Sequence, residues 1–265
     1  MKLPGAVVAI TGASAGIGRE CALAFAREGS SVALAARRLD RLEALASEIR
    51  TLGVPVRVSV VDVGREEDVS RFIAETTAEL GRLDVLVNNA GYGVHGRVEE
   101  TPAAAFDDLM RVNYLGTVYG CRAALPILKR QGSGVIINVS SIVGHRAMPG
   151  GGAYAATKAA QISLTESLRA ELRGTGVSVC SVHPIGTATE FLDVLARESG
   201  GRAVPPMGPR QSAASVARAI VRCAKRPRPE VYPHALSRAI VWLNALAPGV
   251  VDRLAAWGAR RAGRM

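Results

Sequence analysis

Val7-Val8-Ala9-Ile10-Thr11-Gly12-Ala13-Ser14-Ala15-Gly16-Ile17-Gly18 carries the reading of the whole chain. A continuous apolar run ends in a glycine-rich turn, and a helical pattern over 17–28 opens directly behind it. Strands that are apolar without alternation are those buried on both faces, as in a parallel sheet. Glycine lets such a corner turn tightly and lets backbone approach a pyrophosphate closely. The helix N-terminus adds free N–H groups and the positive end of its dipole. A glycine corner by itself is weak evidence; following the first strand and opening the first helix is what raises it.

The pattern repeats outward. Apolar runs at Val32–Ala36, Val56–Val61, Val85–Val87, Val135–Val139 and Val177–Val182 alternate with helical patterns over 39–52, 66–80, 103–130 and 153–173. Residues 229–232 read as a short last strand. Such alternation predicts an α/β, doubly wound (Rossmann) parallel sheet of about seven strands with helices on both faces. No linker, repeat or low-complexity tract interrupts it. Residues 1–232 are expected to form a single dinucleotide-binding and catalytic domain, followed by a C-terminal extension over 233–265.

Composition agrees with a packed domain: the chain has 265 residues, 48% hydrophobic and 21% charged, near the globular average. Cys21, Cys121, Cys180 and Cys223 are scattered, without metal-ligand or redox-pair spacing. They read as small buried hydrophobes, and no metal site is expected. Met1-Lys2-Leu3-Pro4-Gly5 leads at once into strand, so no leader is expected, and a reducing cytoplasm follows. The net charge of +10 sits in the last quarter, where residues 197–265 carry 13 Lys and Arg against 3 Asp and Glu.

Tyr154-Ala-Ala-Thr-Lys158 sets a phenol and an ammonium four apart on one helix face. The ammonium is expected to favour the phenolate and so lower the tyrosine pKa. A phenol tuned in this way can give a proton to a carbonyl or take one from an alcohol. Ser141 lies 13 residues earlier, just past the fifth apolar run, at the strand end where open α/β sheets bind ligands. Together Ser141, Tyr154 and Lys158 resemble the active site of the short-chain dehydrogenase/reductase family, and the turn spacing Gly-x-x-x-Gly-x-Gly is similar to that family's own.

The resemblance implies hydride transfer between a nicotinamide and a carbonyl or secondary alcohol. Tyr154 would be the acid/base, Ser141 would hold the substrate oxygen, and Lys158 would tune the tyrosine and bind the nicotinamide ribose. Asn113 would hold a water in a proton relay to Lys158; an Asn inside a helix is otherwise unfavourable, which signals an irregularity or a task. Gly12, Ser14, Gly16, Ile17 and Gly18 would cradle the phosphates. Asp62 and Val63 would meet the adenine, with a turn or helix-cap role as the alternative for Asp62. Asn88-Asn89-Ala90-Gly91 matches the family pattern. There one Asn is expected to stabilise the sheet, while Asn89, Ala90 and Gly91 line the adenosine side. After the sixth strand, Pro184, Gly186 and a threonine, Thr187 or Thr189, would meet the nicotinamide end. His183 reads as structural, having no carboxylate nearby in sequence, and His145 as a possible substrate contact.

The second strand ends Ala35-Ala36-Arg37-Arg38, with no acid to hold a ribose 2′-hydroxyl. A guanidinium there suits a 2′-phosphate, so NADP(H) is favoured over NAD(H), with Arg37 the first choice and Arg38 and Ser14 as helpers. Residues 188–211 are rich in Gly and Pro and read as a lid over a small-molecule carbonyl or alcohol substrate. A non-catalytic dinucleotide sensor on the same fold is the alternative function; it would not need all of Asn113, Ser141, Tyr154 and Lys158. A homodimer or homotetramer is expected.

Nucleic acid is not an expected partner, since the basic tail lacks interleaved aromatics. The run Ala239–Val251, edged by Arg238 and Arg253, is interrupted at Pro248-Gly249 and too short to span a bilayer. It reads either as a peripheral membrane or subunit contact, or as a helix whose Trp242, Leu243, Leu246 and Trp257 pack onto the domain.

Overall fold

The computed structural model describes residues 1–201 and 210–261. Seven parallel strands form the central sheet: β1 (Val7–Thr11), β2 (Ser31–Ala36), β3 (Val56–Val60), β4 (Val85–Asn88), β5 (Gly134–Val139), β6 (Val177–Val182) and a short strand at Glu230–Val231. Their spatial order is β3-β2-β1-β4-β5-β6, with Glu230–Val231 at the far edge. The order reverses between β1 and β4, so the crevice beyond their C-terminal ends is the ligand site of a doubly wound sheet.

Two cores account for the unbroken apolar strands. Val8, Ile10, Val32, Leu34, Val85, Val87, Val135 and Ile137 point to one face. That face is covered by α1 (Gly16–Arg27), α2 (Leu39–Arg50) and a later helix over Ala213–Lys225. The alternate residues Ala9, Ala33, Ala35, Leu86 and Ile136 point to the other. There α3 (Glu66–Leu80) supplies Phe72 and Ile73. The period of two is present in the strands, but both halves are apolar because both faces are covered. At the outer edge β3 is half-buried or exposed throughout, which matches its Arg57 and Ser59. All four cysteines are buried free thiols.

The helix expected over 103–130 is not continuous. It runs as α4 (Ala103–Leu109), a π-helical segment (Met110–Leu115) and α5 (Gly116–Gln131). Asn113 lies in the π-helical segment, the kind of irregularity its helix-averse amide signalled. Behind β5 comes α6 (Gly152–Glu171), which carries Tyr154 and Lys158. After β6 a two-residue parallel ladder, β7 (Thr187–Ala188) with β8 (Gln211–Ser212), ties the two ends of the expected lid segment. Between them lies α7 (Phe191–Glu198); residues 202–209 of the segment lie outside the described residues. The chain continues through α8 (Ala213–Lys225), β9 (Glu230–Val231), α9 (Ser237–Leu246) and α10 (Pro248–Arg261). No helix among the described residues is long and apolar enough to cross a membrane.

Candidate active site

The glycine corner is fixed by contacts that admit no side chain. At Gly12 φ is +67°, and a Cβ there would lie 2.8 Å from the Ala90 Cα. A Cβ at Gly18 would lie 2.3 Å from the Gly12 carbonyl oxygen. Asn89 holds this corner from the neighbouring strand: its Nδ2 donates to the carbonyls of Thr11 and Gly12 at 3.0 and 3.2 Å. The Thr11 hydroxyl accepts from the backbone N–H groups of Asn89 and Ala90. Asn88 instead faces the sheet, where it is buried and donates to Asn138 at 2.9 Å. Asn138 donates in turn to Thr165 at 2.9 Å, so a buried amide ladder joins β4, β5 and α6. Asn88 thus braces the sheet, as expected of one of the two amides, while Asn89 holds the turn.

Beyond β5, Ser141 caps the 3-10 turn Ile142–Gly144, its Oγ accepting from the Val143 N–H and donating to the Pro184 carbonyl, both at 3.3 Å. The Ser141 hydroxyl lowers the pKa of the Tyr154 phenol, against the effect of burial. Lys158 Nζ sits 5.6 Å from the centre of the Tyr154 ring. Gly91 lies close to both Asn113 and Lys158, for a Cβ there would be 2.9 Å from Asn113 Oδ1 and 3.7 Å from Lys158 Nζ. Asn113, Ser141, Tyr154 and Lys158 thus come together at the crevice, although they leave from three elements.

The electrostatics depart from expectation. Burial pushes the Tyr154 phenol up, with the Ser141 hydrogen bond pulling against it. Burial brings Lys158 down to about 7. The sequence set a charge beside the phenol but did not show how dry both groups are, and desolvation of each outweighs their mutual effect. Burial therefore favours the neutral phenol at Tyr154.

Lys158 is anchored by the Val139 carbonyl at 3.0 Å and by Gln161 Oε1 at 2.9 Å. Gln161 Nε2 donates to the Asn113 carbonyl and to Thr117 Oγ1, both at 2.7 Å. The buried Gln161 amide therefore links the Asn113 backbone carbonyl to Lys158. Sequence reading missed it. The available signal was a polar residue three places after Lys158, on the buried stripe of α6.

Other expected residues fall unevenly. Asp62 Oδ1 accepts from the Gly64 N–H at 2.9 Å and so holds its own turn. Val63 is buried, next to Gly116. Thr189 lies over the glycine corner, since a Cβ at Gly16 would be 3.0 Å from its Cγ2. The Thr187 hydroxyl donates back to the Ile185 carbonyl at 2.8 Å. Of the two threonines, Thr189 is the one beside the glycine corner. Arg37 is exposed; Arg38, not Arg37, reaches Ser14, donating from Nη2 to Oγ at 3.0 Å. Glu190 pairs with Arg38 at 2.9 Å and also with Arg41.

His183 has no carboxylate nearby in sequence, yet sheet order brings one close. Glu230, on the neighbouring strand, lies with His145 and His183 so that three ligand-type atoms fall within 4.8 Å of one another. The Tyr232 hydroxyl already joins them, donating to Glu230 at 2.8 Å and meeting His145 Nε2 at 3.2 Å. Ser181 holds His183 Nε2 at 2.8 Å. Burial and the neighbouring His145 hold the His183 imidazole down to about 3, which keeps it neutral. The cluster braces the loop behind Ser141. Above the site, Phe191 of α7 packs on Tyr154 with ring centres 5.4 Å apart, and a Cβ at Gly93 would lie 2.9 Å from the Phe191 ring. The described part of the expected lid thus rests on the catalytic face.

Comparison with known proteins accords with this geometry. The sequence pattern of the short chain dehydrogenases matches residues 6–199. An 11-beta-hydroxysteroid dehydrogenase-like protein of Arabidopsis thaliana is 38% identical over 250 residues, 93% of this chain and 82% of that protein. An uncharacterised oxidoreductase of Bacillus subtilis is 35% identical over 263 residues, 96% of this chain and 72% of its own. Among solved structures, a Burkholderia phymatum short chain dehydrogenase/reductase in complex with NAD superposes with a TM-score of 0.86 at 26% identity, covering 94% of this chain and 96% of that one. A Thermococcus sibiricus alcohol dehydrogenase complexed with 5-hydroxy-NADP gives 0.75 at 33% identity, covering 86% and 95%. A family match over most of the chain, a reversed parallel sheet and a glycine corner closed to side chains agree: the chain belongs to the short-chain dehydrogenase family of oxidoreductases.

Proposed function

We propose that the protein is an NADP(H)-dependent oxidoreductase acting on a carbonyl or secondary alcohol, with Tyr154 as acid/base. The observation that carries this reading is the meeting of Tyr154 with Ser141 and Lys158 beside a corner that only backbone can line. When bound, the nicotinamide supplies or accepts the hydride. The chain's own residues manage the proton and the oxygen. Ser141 holds the substrate oxygen and steadies the charge that develops on it. Tyr154, kept as a neutral phenol, gives its proton to that oxygen in the reductive direction. Lys158, anchored by Gln161 and Val139, offsets the phenolate left behind. Thr189 and the N–H groups of the corner hold phosphates. The relatives named for hydroxysteroids favour a bulky alicyclic ketone or alcohol, and a homodimer or homotetramer in the cytoplasm belongs to the same reading. Turnover of NADPH with a panel of alicyclic ketones, aldehydes and quinones tests it; no turnover of any with bound NADPH would favour the sensor.

The cofactor preference rests on the arginines at the end of β2 and on Ser14. Glu190 lies across Arg38 and Arg41 much as an anionic group would. Arg37→Asp is expected to lower the ratio of kcat/KM for NADPH over NADH by about 10- to 100-fold, the worth of one charge-assisted hydrogen bond. Glu190→Gln removes the internal competitor and is expected to tighten NADPH more than NADH. A parent enzyme that already prefers NADH overturns the assignment.

The pH dependence has a definite sign. Burial holds Lys158 down to about 7, below its ordinary 10.5. Between those values the unfolded chain holds a proton that the folded chain lacks, so this group makes stability rise with pH across that window. Reduction runs the other way: kcat/KM is expected to fall as pH rises through about 7, when the ammonium that favours the phenolate is lost. Lys158→Met should lower the rate and remove this limb. A profile that is flat across neutrality in the parent refutes the role.

A further inference from the structure

The two C-terminal helices leave an apolar face uncovered. Leu236, Ile240, Trp242, Leu243, Leu246, Val250, Leu254 and Trp257 are all exposed, and they are most of the exposed large hydrophobic residues among those described. Exposure is 86% at Leu246, 60% at Trp242 and 55% at Trp257. Full packing of Trp242, Leu243 and Leu246 onto the domain, one of the two readings of the sequence, is therefore not what the structure shows. The helices dock through a different side: Ser237, Val251 and Ala255 are buried, Asn244 donates to the His145 carbonyl at 3.2 Å, and Asp252 pairs with Arg146 at 2.6 Å. On α10 the stripe Val250, Leu254, Trp257 follows the i, i+4, i+7 spacing of one helix face. An apolar patch of this kind on a monomer marks a binding surface.

Charge selects the occupant. Asp252 is the sole acidic residue from 233 to 261, and it is taken by Arg146. Arg238, Arg253 and Arg260 are exposed around the apolar face. The Arg238 guanidinium lies 5.0 Å from the Trp242 ring centre. A twofold copy of this face would bring arginine rim against arginine rim. An anionic surface complements it, and an apolar face rimmed by cations and tryptophan suits a lipid headgroup layer. We propose that α9 and α10 lie in the interface of an anionic bilayer, their exposed side chains entering the headgroup and acyl boundary. Both helices are tied to the loop following Ser141, through His145 and Arg146, so the docked protein holds its substrate crevice beside the lipid. An apolar substrate then reaches the site from the membrane rather than from water.

Trp242 and Trp257 are the only tryptophans in the chain, so intrinsic fluorescence of the intact protein reports on this face alone. With phosphatidylcholine/phosphatidylglycerol vesicles, the emission is expected to shift to the blue and the protein to sediment with the lipid. Added salt should release it. Each of Arg238→Gln and Arg253→Gln is expected to weaken partitioning by about fivefold at low ionic strength. L243E/L246E, at two exposed positions away from the crevice, should abolish partitioning while leaving NADPH binding intact. Unchanged emission and a protein that stays in the supernatant overturn the proposal. Equal binding to pure phosphatidylcholine overturns its anionic part. An oligomer that L243E/L246E converts to monomer assigns the face to a second copy instead. None of these readouts depends on turnover.

Discussion

Tyr154→Phe is expected to lower kcat by about 10²- to 10⁴-fold on any accepted carbonyl, the range for loss of a general acid. That corresponds to about 3–5 kcal/mol of barrier. The substitution isolates the hydroxyl. Phenylalanine keeps the ring against Phe191, whose centre is 5.4 Å away. Ser141 keeps the Pro184 carbonyl and the Val143 N–H as partners. Neither the fold nor the phosphate cradle depends on the lost group, so NADPH affinity, read by fluorescence titration, should stay near that of the parent. A Phe variant within a few-fold of the parent rate would remove Tyr154 from the chemistry and leave the proton without a donor. Substituting Ser141 by Ala is a weaker test, because its hydroxyl also caps the turn behind it.

The fold was legible because burial on both sides writes itself into the strands. Val8 and Ile10 face one core and Ala9 the other, yet all three are apolar. A parallel sheet covered on both faces asks for that in strand after strand. The corner was legible for the same kind of reason, since its glycines are required by contact. What stayed hidden depends on neighbours that sequence spacing does not report. Glu230 comes within 4.8 Å of His145 and His183 because its strand pairs with β6, 49 residues earlier, at the register Ser181 with Glu230 and Val182 with Val231. Gln161 looked like one more polar residue of a helix until α5 placed Thr117 and the π-helical segment placed the Asn113 carbonyl against it. The direction of the Tyr154 shift turned on dryness, which spacing cannot show. The C-terminal helices illustrate the limit most plainly. Their amphipathic pattern fits an inward or an outward apolar face equally, and only the position of Asn244, Val251 and Ala255 against the domain decides between them.

Gly18→Ala is expected to damage the dinucleotide site more than any other single methyl group added to it. The backbone of Gly18 lies outside the left-handed region, so alanine meets no conformational strain there. The obstacle is contact: the new Cβ would stand 2.3 Å from the Gly12 carbonyl oxygen and 2.6 Å from Asn89 Nδ2. Neither neighbour is free to move. The Gly12 carbonyl accepts from Asn89, and Asn89 is held by Thr11 through both its side chain and its backbone N–H. The first turn of α1 must therefore retreat from the corner, taking with it the N–H groups and the dipole end proposed to hold the phosphates. Overpacking of this kind costs about 1–3 kcal/mol of stability, a fall of roughly 2–4 °C in Tm per kcal/mol for a domain of this size. Cofactor affinity should fall by at least about tenfold, the equivalent of one lost hydrogen bond to a charged group. Gly249→Ala is the matched control, since a Cβ there meets nothing within 4 Å and its φ is not positive; it should leave both quantities unchanged. If Gly18→Ala binds NADPH as tightly as the parent and melts at the same temperature, the corner is not the close-fitting cradle described here, and the phosphates must be held mainly by side chains such as Thr189 and Arg38.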